Sequence, residues 1–461
     1  MNSILALGAK ALTMVISLVC GVLTTRLVLG DAGVEYYALF SMLTSLPSLL
    51  SFTDLGAGAV VVNGIATSDD IRSDRTLAAQ LTSVERILVG FAAVTMLVNT
   101  VLLATGGWTV VFGVTGELPG ADLAAFVCLT IFCLGVPVGI WVRIMLGLRR
   151  NHLIILLQGL ISPLTLLGVW MLLSFGTADT YAFLATSSYV ASFLVGALGL
   201  GLTAYRTRPL VPRAAAMVLH PRRHPGVRVM DVGWPMLAQL LSYPVAVSTQ
   251  RYVLAQWGTH QDVAEYGVAG QVFFALNGLV VAAGLALWPM YARRRHRGEL
   301  RRGPFLLAGV FAAGLAVATL FVALIGPWVF AFITDGTLEV RTTTILAFGL
   351  MVTCTAGLYP LGMFIMDKPG IRFQVVPTLL MAVASLALSI VLTPAIGTAG
   401  PPLGNAVAVV VFQVIPFSWY IVKNRARLLG TDADTGAAPD EPQPKDVAGT
   451  DANSETAASH S

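Results

Sequence analysis

The stretch that decides the fold is residues 248–267, which reads STQRYVLAQWGTHQDVAEYG. It places Arg251 near the end of a long apolar segment, and a second apolar segment opens on AEY at 264–266. The same pattern occurs near the start of the chain, where TTR at 24–26 is followed by VEY at 34–36. Because each copy joins an arginine-bearing apolar segment to one that opens on Glu-Tyr, we expect two homologous halves related by an internal repeat.

The composition indicates a membrane protein. Hydrophobic residues make up 56% of the 461 residues and charged residues 11%, whereas a soluble domain carries about 25% charged residues. The four cysteines all lie in apolar segments and form no CxxC pair. We therefore expect them to be core residues rather than disulfides or metal ligands.

A membrane-spanning helix needs roughly 20 predominantly apolar residues, and twelve segments meet this requirement. The predicted fold class is an all-α polytopic membrane protein with about twelve transmembrane helices in two six-helix bundles. The segments of the first half are 4–29, 36–63, 80–105, 121–148, 152–175 and 181–205. Those of the second half are 230–257, 264–291, 304–333, 340–366, 372–393 and 399–423. The first segment is too long for the apolar core of a cleavable signal peptide, so we expect it to be retained.

The basic residues fall almost entirely on one side of the predicted spans. Of the 28 lysines and arginines, only Arg26, Arg251 and Arg341 fall on the other side. Cytoplasmic loops of membrane proteins carry such an excess of lysine and arginine. We therefore expect a multi-pass protein of the cytoplasmic membrane with both termini in the cytoplasm.

The chain divides into four predicted parts: an N-terminal bundle at 1–205, a basic cytoplasmic linker at 206–229, a C-terminal bundle at 230–425 and a tail at 426–461. The linker is most simply a topology signal, with binding of anionic lipid head groups as the alternative. From residue 431 onward the tail holds seven acidic residues and one lysine, with no apolar period. We predict that it is a disordered, acidic cytoplasmic tail.

Three arginines are candidates for a binding site, since a charge inside the bilayer is expensive and usually functional. Arg26 and Arg251 lie about one turn from the ends of matching helices, where they either extend to the head groups or face each other across a cavity. A guanidinium in a cavity suits phosphate or pyrophosphate, which it binds through paired donors. Arg143 on the fourth span either faces the same cavity or extends to the cytoplasmic surface.

Asp54 is the clearest acidic residue inside a predicted span. It is a candidate for a cation or proton site, for a partner of an arginine, or for a helix-packing device beside small residues. Amides scattered through the spans, such as Gln271 and Asn405, either bond neighbouring helices or line a hydrated path. No Walker motif, buried histidine cluster or nucleophile-and-base pair stands out. We therefore expect no metal, no cofactor, no catalytic residues and no nucleic-acid partner.

Several short motifs occur in an order that resembles a known superfamily. They are TTR at 24–26, GDAGVEYYAL at 30–39, TDLG at 53–56, VAEYGVA at 263–269, LWP at 287–289 and IGTAG at 396–400. With the twelve spans they resemble the multidrug/oligosaccharidyl-lipid/polysaccharide (MOP) flippase superfamily, especially its polysaccharide transporter (Wzx-type) family. The resemblance covers about residues 1–425.

The resemblance implies a V-shaped pair of bundles around a central cavity that opens alternately to each side. It implies a polyprenyl-pyrophosphate-linked oligosaccharide as cargo, with Arg26, Arg251 and Arg143 as pyrophosphate contacts. The expected partners are membrane lipids and a glycan polymerase or glycosyltransferases. Three alternatives stay open: a multidrug or cation antiporter centred on Asp54, a membrane-embedded glycan polymerase or ligase, and an inactive relative with a scaffold role.

Overall fold

The computed structural model describes residues 2–50, 58–68, 71, 74–148, 150–218, 220, 242, 244–296, 300 and 303–429. Within these ranges every regular element is a helix. Asp54, the linker beyond residue 220 and the tail beyond residue 429 lie outside the described residues, so the predictions made for them stay predictions.

The described part of the N-terminal half contains eleven helices. They are α1 (Asn2–Asp31), α2 (Gly33–Leu49), α3 (Gly58–Thr67), α4 (Arg75–Ala104), α5 (Gly107–Phe112), α6 (Ala121–Val138), α7 (Ile140–Gly147), α8 (Asn151–Gly159), α9 (Ile161–Phe175), α10 (Thr186–Arg206) and α11 (Leu210–Val218). Short 3₁₀ turns follow α5 at Gly113–Glu117 and precede α10 at Ala178–Phe183.

The C-terminal half begins, in the described part of the chain, with a π-turn at Pro244–Ser248. Its helices are α12 (Gln250–Trp257), α13 (His260–His296), α14 (Phe305–Thr334), α15 (Thr342–Phe364), α16 (Lys368–Ile396), α17 (Gly400–Val409), α18 (Ile415–Lys423) and α19 (Arg425–Leu429). A 3₁₀ turn at Gly397–Ala399 joins α16 to α17, and a π-turn at Val410–Val414 joins α17 to α18.

Nine stretches among the described residues are long and apolar enough to cross a membrane. The last of them, Pro369–Lys423, has 55 residues and covers both of the final two predicted spans. The predicted spans at 36–63 and 230–257 include residues outside the described ranges. The side chains of α14 show what surrounds these helices, because Leu324 is 80% and Trp328 85% exposed. Apolar surface of this extent is stable on a membrane helix that faces lipid.

Proline and glycine shape the fourth predicted span. The sequence GVPVG at 135–139 divides it, since α6 ends at Val138 and α7 begins at Ile140. The missing N–H of Pro137 explains a break at this point. A close approach to this span occurs on α10, where a Cβ on Gly199 would lie 2.4 Å from the Trp141 ring.

An ion-pair network holds together the C-terminal half, and we call it the Arg341 clamp. Arg341 donates from Nε and Nη2 to Oε2 of Glu265, at 2.9 and 2.6 Å, and its backbone N–H donates to Oε1 at 2.9 Å. Nη2 also donates to Asp262 and, at 2.8 Å, to the hydroxyl of Thr398. The clamp therefore ties the start of α13 to the start of α15 and to the turn before α17.

The clamp explains two of the sequence motifs in structural terms. Glu265 of AEY is 1% exposed, and Thr398 of IGTAG is fully buried. A carboxylate this deeply buried needs a paired cation, and the hydrogen bonds that Arg341 donates to Glu265 raise the pKa of Arg341 further above its usual range. The counterpart of Glu265 in the first copy of the pattern, Glu35, is exposed. The two copies therefore share a sequence pattern, whereas their glutamates occupy different environments.

We predict that Glu265→Gln destabilises the protein much more than Glu339→Gln does. Glu339 is an exposed residue two positions before Arg341, so it provides a matched control. Breaking a fully buried pair costs about 3–5 kcal/mol and an exposed one about 0–1 kcal/mol. Arg341 is half-exposed, which places Glu265→Gln between these limits.

The measurement is the apparent melting temperature in detergent of both variants, of Arg341→Gln and of the double variant Glu265→Gln/Arg341→Gln. The double variant should lose less stability than the sum of its single changes, because the pair is removed only once. Equal melting temperatures for Glu265→Gln and Glu339→Gln would contradict the clamp.

Candidate functional site

Three arginines of the described chain define one end of the molecule. Arg26 lies near the end of α1, Arg251 in α12 and Arg341 directly before α15. We call this the arginine-poor end. The opposite end, where α4 begins and α10, α13 and α18 finish, carries most of the other basic residues and is called the arginine-rich end.

The two halves meet at the arginine-poor end. We call this contact between the halves the seam. Its N-terminal side is formed by α1 and α2, with Thr25, Ser41 and Ser48. On the other side are the π-turn, α12 and α13, with Ser248, Arg251 and Gln271. In the described ranges, every side-chain hydrogen bond that joins the bundle at 1–205 to the bundle at 230–425 lies in this region.

Side chains at the arginine-rich end bond differently. Arg86 of α4 donates to the carbonyls of Met217 and Val218 on α11, at 2.7 and 3.3 Å. Arg295 of α13 donates to the carbonyls of Phe364 and Leu428. Each of these bonds stays on one side of the division between halves. The described contacts therefore close the space between the halves at the arginine-poor end.

Arg26 reaches from the N-terminal half across the seam. Its Nη2 lies 2.6 Å from Oδ1 of Asp335, and its guanidinium lies 5.3 Å from the centre of the Phe332 ring. Asp335 follows α14 with φ 52°, a left-handed conformation that aspartate tolerates better than most residues. Because the two side chains are 39% and 58% exposed, the pair is a modest contribution to closure.

Arg251 reaches across the seam in the opposite direction. Its Nη1 donates to the backbone carbonyl of Ser41 at 2.7 Å, and its guanidinium lies 5.7 Å from the Tyr266 ring centre. Among the described residues this is its one hydrogen bond, whereas a guanidinium has five N–H donors. Arg251 is half-buried, so it combines an anchored position with unused donors.

The sequence-predicted site residues are therefore only partly brought together. Arg26 and Arg251 both lie on the seam, each bonded to the opposite half rather than to each other. Arg143 lies on α7, whose neighbouring residues Ile140 and Ile144 pack against α3, α4 and α11 inside the N-terminal half. It does not join the seam. Asp54 lies outside the described residues.

Sequence reasoning missed a line of serines on α2. Ser48 donates to the hydroxyl of Ser248 at 2.9 Å. Ser45 lies 3.4 Å from the hydroxyl of Tyr252, and the backbone of Ser41 accepts from Arg251. Positions 41, 45 and 48 follow the helical spacing of three and four residues, so this polar stripe was available as a signal. Asp335 offered no such signal, because its partner is 309 residues away.

The amides divide between two roles. Gln271 joins the seam by donating to the hydroxyl of Thr25. Others bond helices within one half: Asn99 donates to the carbonyl of Phe126 at 3.0 Å, and Asn405 donates to Ser385 at 2.9 Å. These amides hold neighbouring helices together.

A cavity of about 280 Å³ lies inside the N-terminal half, between α2, α6 and α10. Pro47, Phe132, Gly135, Ser192 and Phe193 are among its lining residues, and none of the lining residues is charged. An uncharged lining is unsuited to a pyrophosphate. No group of three or more His, Cys, Asp or Glu residues that could hold a metal occurs in the described part of the chain.

Gly267 allows α2 and α13 to approach closely at the seam. A Cβ at this position would lie 2.6 Å from Oγ and 3.1 Å from Cβ of Ser41. We therefore predict that Gly267→Ala forces the seam apart. Overpacking of this kind costs about 1–3 kcal/mol. Gly278→Ala on the same helix is the matched control, because a Cβ there meets nothing within 4 Å.

The measurement is the distance between spin labels at Glu35 and Glu339, which are exposed and lie in different halves, in a background without native cysteines. Gly267→Ala should populate longer distances, while Gly278→Ala should match the parent. A distance distribution unchanged by Gly267→Ala would contradict the assignment of this glycine to the seam.

Comparison with known proteins gives the fold a context. No family model matches the sequence, and no curated protein matches it either. Among solved structures, the lipid II flippase MurJ in an inward closed conformation has a TM-score of 0.66 and 11% identity, with 94% of this chain and 93% of that chain covered. An inward-facing multidrug resistance MATE family transporter of the MOP superfamily has a TM-score of 0.61 and 15% identity, with 95% of this chain and 100% of that chain covered.

A MOP superfamily transporter from Pyrococcus furiosus is also similar. Its TM-score is 0.53 at 15% identity, with 91% of this chain and 96% of that chain covered. At these identities the likeness establishes the fold and not the cargo. The predicted fold class is confirmed: the chain has the all-α fold, with about 12 helices, of MurJ and the MATE transporters.

Proposed function

We propose that this protein is a flippase that moves a polyprenyl-pyrophosphate-linked oligosaccharide across the cytoplasmic membrane by alternating access. The observation that carries the proposal is the position of Arg251, which is anchored at the closed end between the two halves with donors to spare. The similarity in fold to a lipid II flippase supports it.

The orientation follows from the distribution of basic residues. We place the arginine-rich end in the cytoplasm, since lysine and arginine accumulate there in membrane proteins. The closed seam then lies on the extracytoplasmic side, and we expect the space between the halves to open toward the cytoplasm. The MurJ and MATE structures that the chain resembles are described as inward closed and inward-facing.

Arg251 would bind the pyrophosphate of the cargo when it enters from the cytoplasm. A guanidinium pairs two N–H donors with phosphate oxygens, and it keeps its charge at all physiological pH values. The isoprenoid chain would stay in the bilayer while the head group occupies the space between the halves.

Arg26 would act later in the cycle. Opening of the seam separates α1 from the end of α14, so the Arg26–Asp335 pair must break. An anionic head group in the cavity offers Arg26 a replacement for the lost carboxylate. Cargo would thereby favour the outward-open state. A ligand shifts the equilibrium between two states only if it binds them with different affinity.

The alternatives rest on other residues. A cation antiporter needs an accessible carboxylate: Asp54 lies outside the described residues, and the buried Glu265 is already paired with Arg341. A glycan polymerase or ligase needs a catalytic group, and the similar structures described above are flippases and transporters.

The proposal predicts that Arg251→Gln lowers flipping of a pyrophosphate-linked oligosaccharide in proteoliposomes by about 10-fold or more. Loss of a hydrogen bond to a charged group is worth about 1.5–3 kcal/mol, which corresponds to this range. Arg75→Gln is the matched control, since Arg75 is exposed at the start of α4, away from the seam.

Two results would contradict the proposal. One is equal flipping by Arg251→Gln and Arg75→Gln. The other is normal export of the precursor in cells that lack the protein. Two observations together would instead support the antiporter. They are that Arg251→Gln still exports a cationic dye, and that neutralising a carboxylate of the protein stops this export.

A further inference from the structure

A cluster of basic residues covers the arginine-rich end of the C-terminal half. Arg293 and Arg294, in the last turn of α13, are exposed, as are Lys423 at the end of α18 and Arg425 at the start of α19. We call these four residues the basic cluster. The nearby carboxylate of Asp367 is already paired, because it lies 3.3 Å from Nη1 of Arg427. The cluster therefore has a large positive charge that its described neighbours do not neutralise.

The length of α13 carries part of the cluster away from the lipid. The helix has 37 residues, which at 1.5 Å per residue corresponds to about 55 Å. The bilayer with its head groups measures about 40–45 Å, and a tilt of about 20° shortens the helix by only about 3 Å. A helix of this length that starts at the outer head groups ends about 10 Å beyond the inner ones. We therefore expect Arg293 and Arg294 to face water rather than lipid.

The chain leaves the described structure directly beside this cluster. Arg295, the next residue of α13, donates from Nε to the carbonyl of Leu428 at 3.1 Å and from Nη2 to that of Phe364 at 2.7 Å. Leu428 is 1% exposed and packs among Tyr291, Phe364 and Phe417. These contacts fix α19 against the end of α13, so residue 430 starts within reach of the basic cluster.

The sequence that follows has the opposite charge. Residues 430–461 contain seven acidic residues and one lysine. The first two, Asp432 and Asp434, come three and five residues after Leu429, and a chain of that length reaches about 10–18 Å. Attachment at this point gives the segment an effective concentration on the order of millimolar at the cluster.

We propose that the acidic segment 430–461 docks on the basic cluster of its own chain. Carboxylates of the segment pair with Arg293, Arg294, Lys423 and Arg425, and the docked segment covers this surface against other polyanions. The proposal does not depend on the identity of the cargo. Its physical basis is charge complementarity at a fixed point of attachment.

The test uses the full chain in nanodiscs of zwitterionic lipid, with spin labels at Ala426 and Ser454 in a background without native cysteines. A separation of about 28 residues that behaves as a flexible coil spans about 26–32 Å root mean square. Docking predicts a narrower distribution of label distances. Replacing the seven acidic residues by Asn and Gln, or Arg293 and Arg294 by Gln, should remove most of this narrowing. Raising the salt from about 0.15 M to about 1 M should do the same, since the Debye length falls from about 8 to 3 Å.

Arg75→Gln/Arg206→Gln is the control, because both residues are exposed basic residues of the N-terminal half; it should leave the distances unchanged. The proposal is overturned if the distribution of label distances is the same with and without the Arg293 and Arg294 changes. It is also overturned if the control changes this distribution equally. Loss of docking when anionic lipid is added to the nanodisc overturns it as well, because head groups would then be the partner.

Discussion

Each half of this protein holds the other through an arginine of its own. Arg26 of the N-terminal half binds Asp335, and Arg251 of the C-terminal half binds the carbonyl of Ser41. A charge inside the bilayer needs a partner or a hydrated cavity. The two arginines meet this requirement by bonding across the seam. These bonds lie at one end of the molecule, where the two halves are in contact.

The C-terminal half gives the seam its second surface. The Arg341 clamp fixes the start of α13 to α15 and to the turn before α17. The hydroxyl of Tyr266, next to Glu265, donates to Gln250 at 2.8 Å and so joins α13 to α12. Arg251 lies on α12 and Gln271 on α13, so both seam residues are positioned by this framework. Movement of the halves can then occur as a change at the seam rather than inside a bundle.

The fold was predictable from the sequence because membrane insertion depends on short, local stretches of residues. Apolar length and the positions of lysine and arginine depend on nearby residues, and they indicated the helices and the unusual place of Arg26 and Arg251. Pairings between distant residues were not predictable in this way. Glu265 and Arg341 are 76 positions apart, and Arg26 and Asp335 are 309 apart. The sequence repeat places Glu35 and Glu265 at equivalent positions, and of these two only Glu265 is buried, since it faces an arginine.

We expect transport to require opening of the seam. The hydroxyl oxygens of Ser48 and Ser248 lie 2.9 Å apart across it, so cysteines at both positions should form a disulfide bond in the closed state. Flipping of the pyrophosphate-linked oligosaccharide would be measured in a background without native cysteines, before and after reduction. We predict that the oxidised protein is inactive and that a reductant restores flipping. Undiminished flipping by fully cross-linked protein would contradict it.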